Sequence, residues 1–235
     1  MRFWLALKAL LLNTLFPPTC VSCKKEGDFF CAECLGSLAK RRISPKVSKT
    51  DDEPELHHLD GVIYALDYAK NPQIQAAISQ FKYRFTQELA APFADLIAEK
   101  IRELSMVKNR KIILIPIPLH AKRLAYRGFN QAEVIAKAIQ SHLPAGKSEL
   151  QPLLVREKET KQQARLTKEE RHKNLEGAFH MNNNFVQSFD PKAIHFLVDD
   201  VCTTGSTLEN CARVLKENGV PKIYGLVIAR AFRRE

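Results

Sequence analysis

The stretch from His195 to Thr207, His-Phe-Leu-Val-Asp-Asp-Val-Cys-Thr-Thr-Gly-Ser-Thr, constrains the fold more than any other part of the chain. The run Ile194 to Val198 reads as a buried strand. It ends in two acids, Asp199 and Asp200, and a hydroxyl-rich loop then enters a helix expected over Leu208 to Asn218, with Gly219 as its stop. Strand, short loop and helix are the repeating unit of a parallel sheet with crossover helices. Ligands of such sheets bind beyond the carboxyl ends of the strands, and the free N–H groups of a helix N-terminus suit a phosphate dianion. Thr203, Thr204, Ser206 and Thr207 add hydroxyl donors, and Gly205 permits close backbone approach. The two acids would repel a phosphate, but as acceptors they suit the vicinal hydroxyls of a ribose whose 5-phosphate lies in the loop. Taken singly, each residue also fits a plain strand end and helix start; the ordered combination points to a sugar phosphate. Walker A and G-x-G-x-x-G patterns are absent, which argues against ATP hydrolysis and classical dinucleotide binding.

The rest of the chain supports an α/β reading. Gly61 to Tyr68 alternates as a strand, and Asn71-Pro72 opens a helix with Ile74, Ala77, Ile78 and Phe81 as its apolar stripe. A second helical pattern runs from Leu89 to Leu104, with Pro92 in its first turn or at a kink. Ile112 to Leu119 is apolar on both faces, as a buried parallel strand is. Asn130 and Glu133 resemble a capping box, as do Thr167 and Glu170. Leu153 to Val155 reads as a short strand and Ile223 to Ala229 as the last one.

Four of the six cysteines, Cys20, Cys23, Cys31 and Cys34, form C-x2-C-x7-C-x2-C. Two such knuckles can close a tetrahedral thiolate shell around Zn2+ and leave no open position, which predicts a structural rather than a catalytic metal. A disulfide pair or an iron-sulfur cluster fits the spacing and a reducing compartment less well. A module this small is expected to draw most of its folding energy from the metal, so zinc removal should unfold residues 18 to 38. The other two thiols, Cys202 and Cys211, read as small space-filling residues.

Lys and Arg number 36 against 26 Asp and Glu, a net charge of +10, which suits phosphates or nucleic acid as partners. Arg2, Lys8 and Asn13 interrupt the apolar N-terminal stretch. The expectation is an amphipathic helix and a cytoplasmic chain, with peripheral membrane contact as the lesser alternative. The polar segment 41–60 reads as a linker or exposed loop, its His57 and His58 solvated. Domain boundaries follow at 1–40, 41–60 and 61–235.

Basic residues form two further groups. His120, Lys122, Arg123 and Arg127 follow a buried strand, where a loop would open over the ligand end of the sheet; there they suit a pyrophosphate or a nucleic-acid backbone, or form a solvated basic loop. From Arg156 to Lys173, seven basic and four acidic residues make a polar stretch containing Lys158 and Lys161.

The segment 195–207 resembles the phosphoribosyl pyrophosphate (PRPP) signature of type I phosphoribosyltransferases. Together with the four-cysteine module, Ile115-Pro116-Ile117-Pro118-Leu119-His120 and Arg127-Gly128-Phe129-Asn130-Gln131, it resembles the ComF competence proteins, with further matches from Arg156 to Phe179. Two positions depart from the pattern: Ser206 stands where Ala is common, and Phe85, after Phe81-Lys82-Tyr83-Arg84, where Gly is common. The resemblance implies a phosphoribosyltransferase-like sheet and PRPP binding by Asp199, Asp200, Thr203 to Thr207 and Lys82. It implies Mg2+ with the PRPP, and a lid over residues 156–173 in which Arg156, Lys158 or Lys161 neutralises the leaving pyrophosphate. Asp199, Asp200 and Arg156 are then the candidate catalytic residues. The implied biology is natural transformation, the movement of incoming single-stranded DNA into the cytoplasm, with DNA and membrane-associated uptake machinery as partners. A PRPP sensor without chemistry, or a zinc-ribbon DNA binder with a vestigial site, are the competing functions.

Overall fold

The computed structural model describes residues 17–40, 56–83, 87–158, 175, 177–185 and 189–231. The expected N-terminal helix, the capping pair at Thr167 and Glu170, most of the lid with Lys161, and Phe85 lie outside them.

A five-stranded parallel sheet forms the body. Its strands are β1 (Gly61–Asp67), β2 (Ile112–Pro116), β3 (Ser148–Leu150), β6 (Ile194–Cys202) and β7 (Ile223–Arg230), in the order β1-β7-β6-β2-β3. Outside the sheet, β4 (Leu154–Arg156) and β5 (Phe179–Met181) pair as an antiparallel hairpin, so the strand expected near Leu153 exists but does not extend the sheet.

Helices cover both sheet faces, which is the expected α/β architecture. Side-chain alternation along the strands sorts the core into two clusters. On one face Ile63, Leu114, Phe196, Val198 and Leu226 pack with α2 (Pro72–Tyr83), α3 (Ala90–Glu103) and α5 (Gln131–His142). On the other, Val62, Ile113, Leu197 and Val227 pack with α6 (Ser206–Glu217) and with Leu154 and Phe179 of the hairpin. Burial on both faces is why β1 is buried at all seven positions rather than alternating as expected. Pro92 lies in the first turn of α3, where a missing N–H costs nothing.

Three other expectations are corrected. The strand β6 does not stop at Val198; it continues through both acids to Cys202, because the backbone there still pairs with β7 at Asp199 to Val227 and Val201 to Ala229. The basic segment after β2 is not a loop but the helix α4 (Ala121–Arg127), which starts where His120 Nδ1 accepts from Lys122 N and ends at Gly128, φ +72°. The end of the expected linker, residues 56–60, is docked: Leu56 and Leu59 are buried on the α6 side.

The cysteine module packs against the body. Val21 and Phe30 belong to the same apolar cluster as Phe81 and Phe93, and Phe29 and Leu35 pack against it. α1 (Ala32–Lys40) begins between Cys31 and Cys34, so the second knuckle sits in the first turn of that helix.

Candidate functional site

Chain direction locates the site. From β2 the chain runs outward to β3 through α5 on one face, and from β6 it runs the other way to β7 through α6 on the opposite face. Between the carboxyl ends of β2 and β6 lies the point where the strand order reverses, the position where open α/β sheets bind ligands.

Asp199 and Asp200 stand at that point, and because they are adjacent in a strand their side chains leave on opposite faces. Asp200 is buried and pairs with Lys82 of α2, Nζ to Oδ1 2.8 Å. Burial works against the lysine's charge, but the attraction and hydrogen bond of Asp200, helped by Asp199, hold its pKa above the ordinary value. Asp199 is half-buried and accepts from the Asp200 N–H at 2.9 Å. Burial and the neighbouring Asp200 carboxylate push its pKa up to about 7, against the pull of Lys82 and Arg156. Asp200 is thus held by Lys82, while Asp199 is poised to hold or release a proton near neutrality.

Of the expected cations, the structure brings four to this place. Arg156 is not in a lid: it is in β4, buried, with its guanidinium over the Phe179 ring at 5.2 Å. Burial, and then the charge of Arg123, lower its pKa. Arg127 acts on Lys82 in the same sense. Lys122 is exposed on α4, and Lys158 is exposed beyond β4.

The hydroxyl loop has its own geometry. Gly205 caps α6 with φ +77°, a left-handed conformation that favours glycine. A Cβ there would also lie 2.7 Å from Leu56 Cδ2, so the glycine makes room for Leu56 as well as for any ligand. Thr204 Oγ1 lies 2.9 Å from Ser206 Oγ; Thr203 is exposed and Thr207 half-exposed at the start of the helix. Cys202 and Cys211 are buried core residues, as expected.

Sequence reading missed one element here. His57 and His58 are not merely solvated: both their backbone N–H groups donate to Glu209 Oε1 at 2.8 Å, and His58 Nδ1 lies 2.5 Å from the same oxygen. Glu209 is buried in the first turn of α6, so these contacts strap residues 56–60 beside the loop. An acid buried on an otherwise apolar helix face was the available signal.

At the N-terminal module the four sulfurs lie within 4.8 Å of one another, the Cys23 and Cys31 Sγ atoms 3.7 Å apart. A tetrahedral Zn2+ with Zn–S of about 2.3 Å needs sulfurs about 3.8 Å apart, so the cluster fits that ion. Lys24, φ +66°, makes the tight turn after Cys23, and Cys31 N donates to Cys20 Sγ at 3.5 Å. Burial opposes a thiolate at Cys20, but the N–H groups of Cys23, Cys31 and Ser22 bring its pKa down to about 6. At Cys31 the Cys34 N–H favours the thiolate, yet burial and the surrounding sulfurs push it up to about 12. Four thiolates coexist there only around a cation. Among the described residues no other Cys, His, Asp and Glu group has metal-site geometry.

The chain is 31% identical over 159 residues to competence protein F of Haemophilus influenzae, a stretch covering 66% of each chain. It is 31% identical over 156 residues to competence protein ComFC of Bacillus subtilis, covering 65% of this chain and 57% of that one. The chain belongs to the ComF family. Within it, the DNA utilization protein YhgH of Salmonella typhimurium is 28% identical over 165 residues, 68% of each chain. The matched stretches thus span about two thirds, or less, of these ComF relatives. No family model matches the chain. Among the described residues no helix is long and apolar enough to cross a membrane.

Proposed function

We propose that the chain binds PRPP at the β2 and β6 strand ends and acts in the handling of incoming DNA as a phosphoribosyltransferase-like ComF protein. The observation that carries the reading is the pairing of Lys82 with Asp200 at the reversal point of the sheet, beside a helix start rich in hydroxyls. In this reading the loop from Thr203 to Thr207 takes the 5-phosphate and the acids take ribose hydroxyls. Lys82 and the α4 arginines face the diphosphate, with Lys122, Lys158 and Lys161 at its periphery. Mg2+ bound with the ligand would neutralise diphosphate charge, the acids being engaged by Lys82 and by backbone. Zn2+ is structural, held by Cys20, Cys23, Cys31 and Cys34.

Should transfer occur, the C1–O bond breaks and its electron pair leaves with pyrophosphate; the acceptor's nucleophile bonds to C1 and gives up a proton, which Asp199, near neutrality, is suited to take. Arg156 and Asp199 are then the candidate catalytic pair, and Asp200 fixes the ribose end.

A direct contact with single-stranded DNA is supported by a different observation. On α4, Tyr126 is 76% exposed and flanked by Lys122, Arg123 and Arg127, an aromatic face among cations that suits a base and its phosphates.

Calorimetric titration of the zinc-loaded protein with PRPP and Mg2+, beside Asp199→Asn/Asp200→Asn, tests the main reading. Saturable binding that the double variant loses is the expected result. A folded protein that binds no PRPP overturns it and leaves the α4 surface, probed with single-stranded DNA, as the leading site.

A further inference from the structure

One residue of the Arg127 to Gln131 segment behaves unlike a core residue. Gln131 opens α5 and is 3% exposed. Its Oε1 accepts from Arg127 Nη1 at 2.9 Å, while its Nε2 is buried without a hydrogen-bond partner among the described residues. An unpaired buried amide donor destabilises a fold, and a position that needed only volume would be better filled by Leu or Met. Gln131 is retained for its oxygen at a cost in stability, the pattern of a functional residue.

The surroundings show where that oxygen aims Arg127. Gly128 ends α4 in a left-handed turn that folds Arg127 back toward α5, and Asn130 Nδ2 donates to Ile117 O at 3.0 Å, pinning the segment to the end of β2. Phe129 then packs on Phe81, ring centroids 5.9 Å apart. Lys82 follows Phe81, and Arg127 lies two residues before Phe129, so the ring contact draws the two cations together. Arg127 indeed disfavours the charge on Lys82. Two cations beside the Asp200 carboxylate, which Lys82 meets at 2.8 Å, suit a dianionic group.

We propose that Gln131 is a positioning residue that holds Arg127 beside Lys82, so that the two side chains together receive the diphosphate of the ligand. This rests on the PRPP reading above and names the subsite within it. Gln131 acts only through Arg127, and that property separates it from a structural role.

A double-mutant cycle with Gln131→Leu and Arg127→Gln, titrated by calorimetry with inorganic pyrophosphate and Mg2+ and then with PRPP, makes the test. Gln131→Leu is expected to weaken both ligands roughly tenfold, the effect of losing one charge-assisted contact, while the melting temperature stays level or rises. In the Arg127→Gln background the same change is expected to weaken binding no further. Equal weakening in both backgrounds, unchanged affinity, or a melting temperature several degrees lower in both Gln131→Leu and Gln131→Met overturns the assignment. If the wild type binds neither probe, the PRPP reading falls together with it; if the wild type binds and the variants match it, only the role of Gln131 falls.

Discussion

At the cysteine module four sulfurs converge on one another, whereas at the β6 end two acids converge with cations from α2, α4 and β4. Both places crowd like charges in a small volume, but they are neutralised differently. The sulfurs suit an ion from outside, and without one the Cys20 thiol is brought down to about 6 while the Cys31 thiol is pushed up to about 12. The acids are already met by Lys82 and the arginines before any ligand enters. The first arrangement suits a structural metal such as zinc; the second lets a ligand exchange for existing pairings.

The largest effect that would separate the two comes from metal removal. A strong chelator is expected to strip one Zn2+ per chain and lower the melting temperature by more than about 10 °C. Because Val21 and Phe30 share the main core, the loss should not stay local. Hydrogen exchange should show faster exchange in α2 and α3 as well as in residues 19–37; exchange confined to the module would show that it is energetically separate.

Next in size is the Lys82–Asp200 pair. Asp200→Asn leaves a mostly buried ammonium without its carboxylate and is expected to cost about 3 kcal/mol in chemical denaturation. Lys82→Met/Asp200→Leu should regain most of that stability and still bind no PRPP. Recovery of binding in the double variant would show that the pair is structural.

The smallest effect is a pH dependence at Asp199. Its carboxyl is raised from 3.8 to about 7, chiefly by burial, so the folded chain keeps a proton that the unfolded chain releases. The resulting stability is full below about pH 4 and is lost as the pH climbs through 7. Asp199→Asn, which cannot ionise, should therefore melt higher than the wild type at pH 8, with a clearly smaller gap at pH 5. A gap of the same size at both pH values would remove the buried carboxylate as its cause.

Legibility in the sequence followed the same division. The four cysteines are close in the chain, and their spacing alone specifies how they meet. The strand, loop and helix from Ile194 onward were readable because each step is local, although β6 runs further than its apolar residues suggest, since backbone pairing with β7 does not depend on side-chain polarity. The helix α4 was missed even though His120 and Gly128 mark its two ends, because its basic side chains read as a loop. What could not be read were the meetings of distant segments: Lys82 paired with Asp200, His58 paired with Glu209, and the like charges of Arg123 and Arg156 brought near each other. These depend on the reversal of chain direction between β2 and β6, and no single stretch of sequence records it.

The strap over α6 has a consequence for how the hydroxyl loop is used. Leu56 fills the space beside Gly205, and His57 and His58 fasten the same segment to Glu209, so the loop acquires its shape when the chain folds. Its ordering entropy is met at that stage and not at each encounter with a ligand. The shape of the loop is thereby shared with a residue far upstream: position 56 and position 205 form one surface, and a change in the size of either is felt by whatever the loop holds.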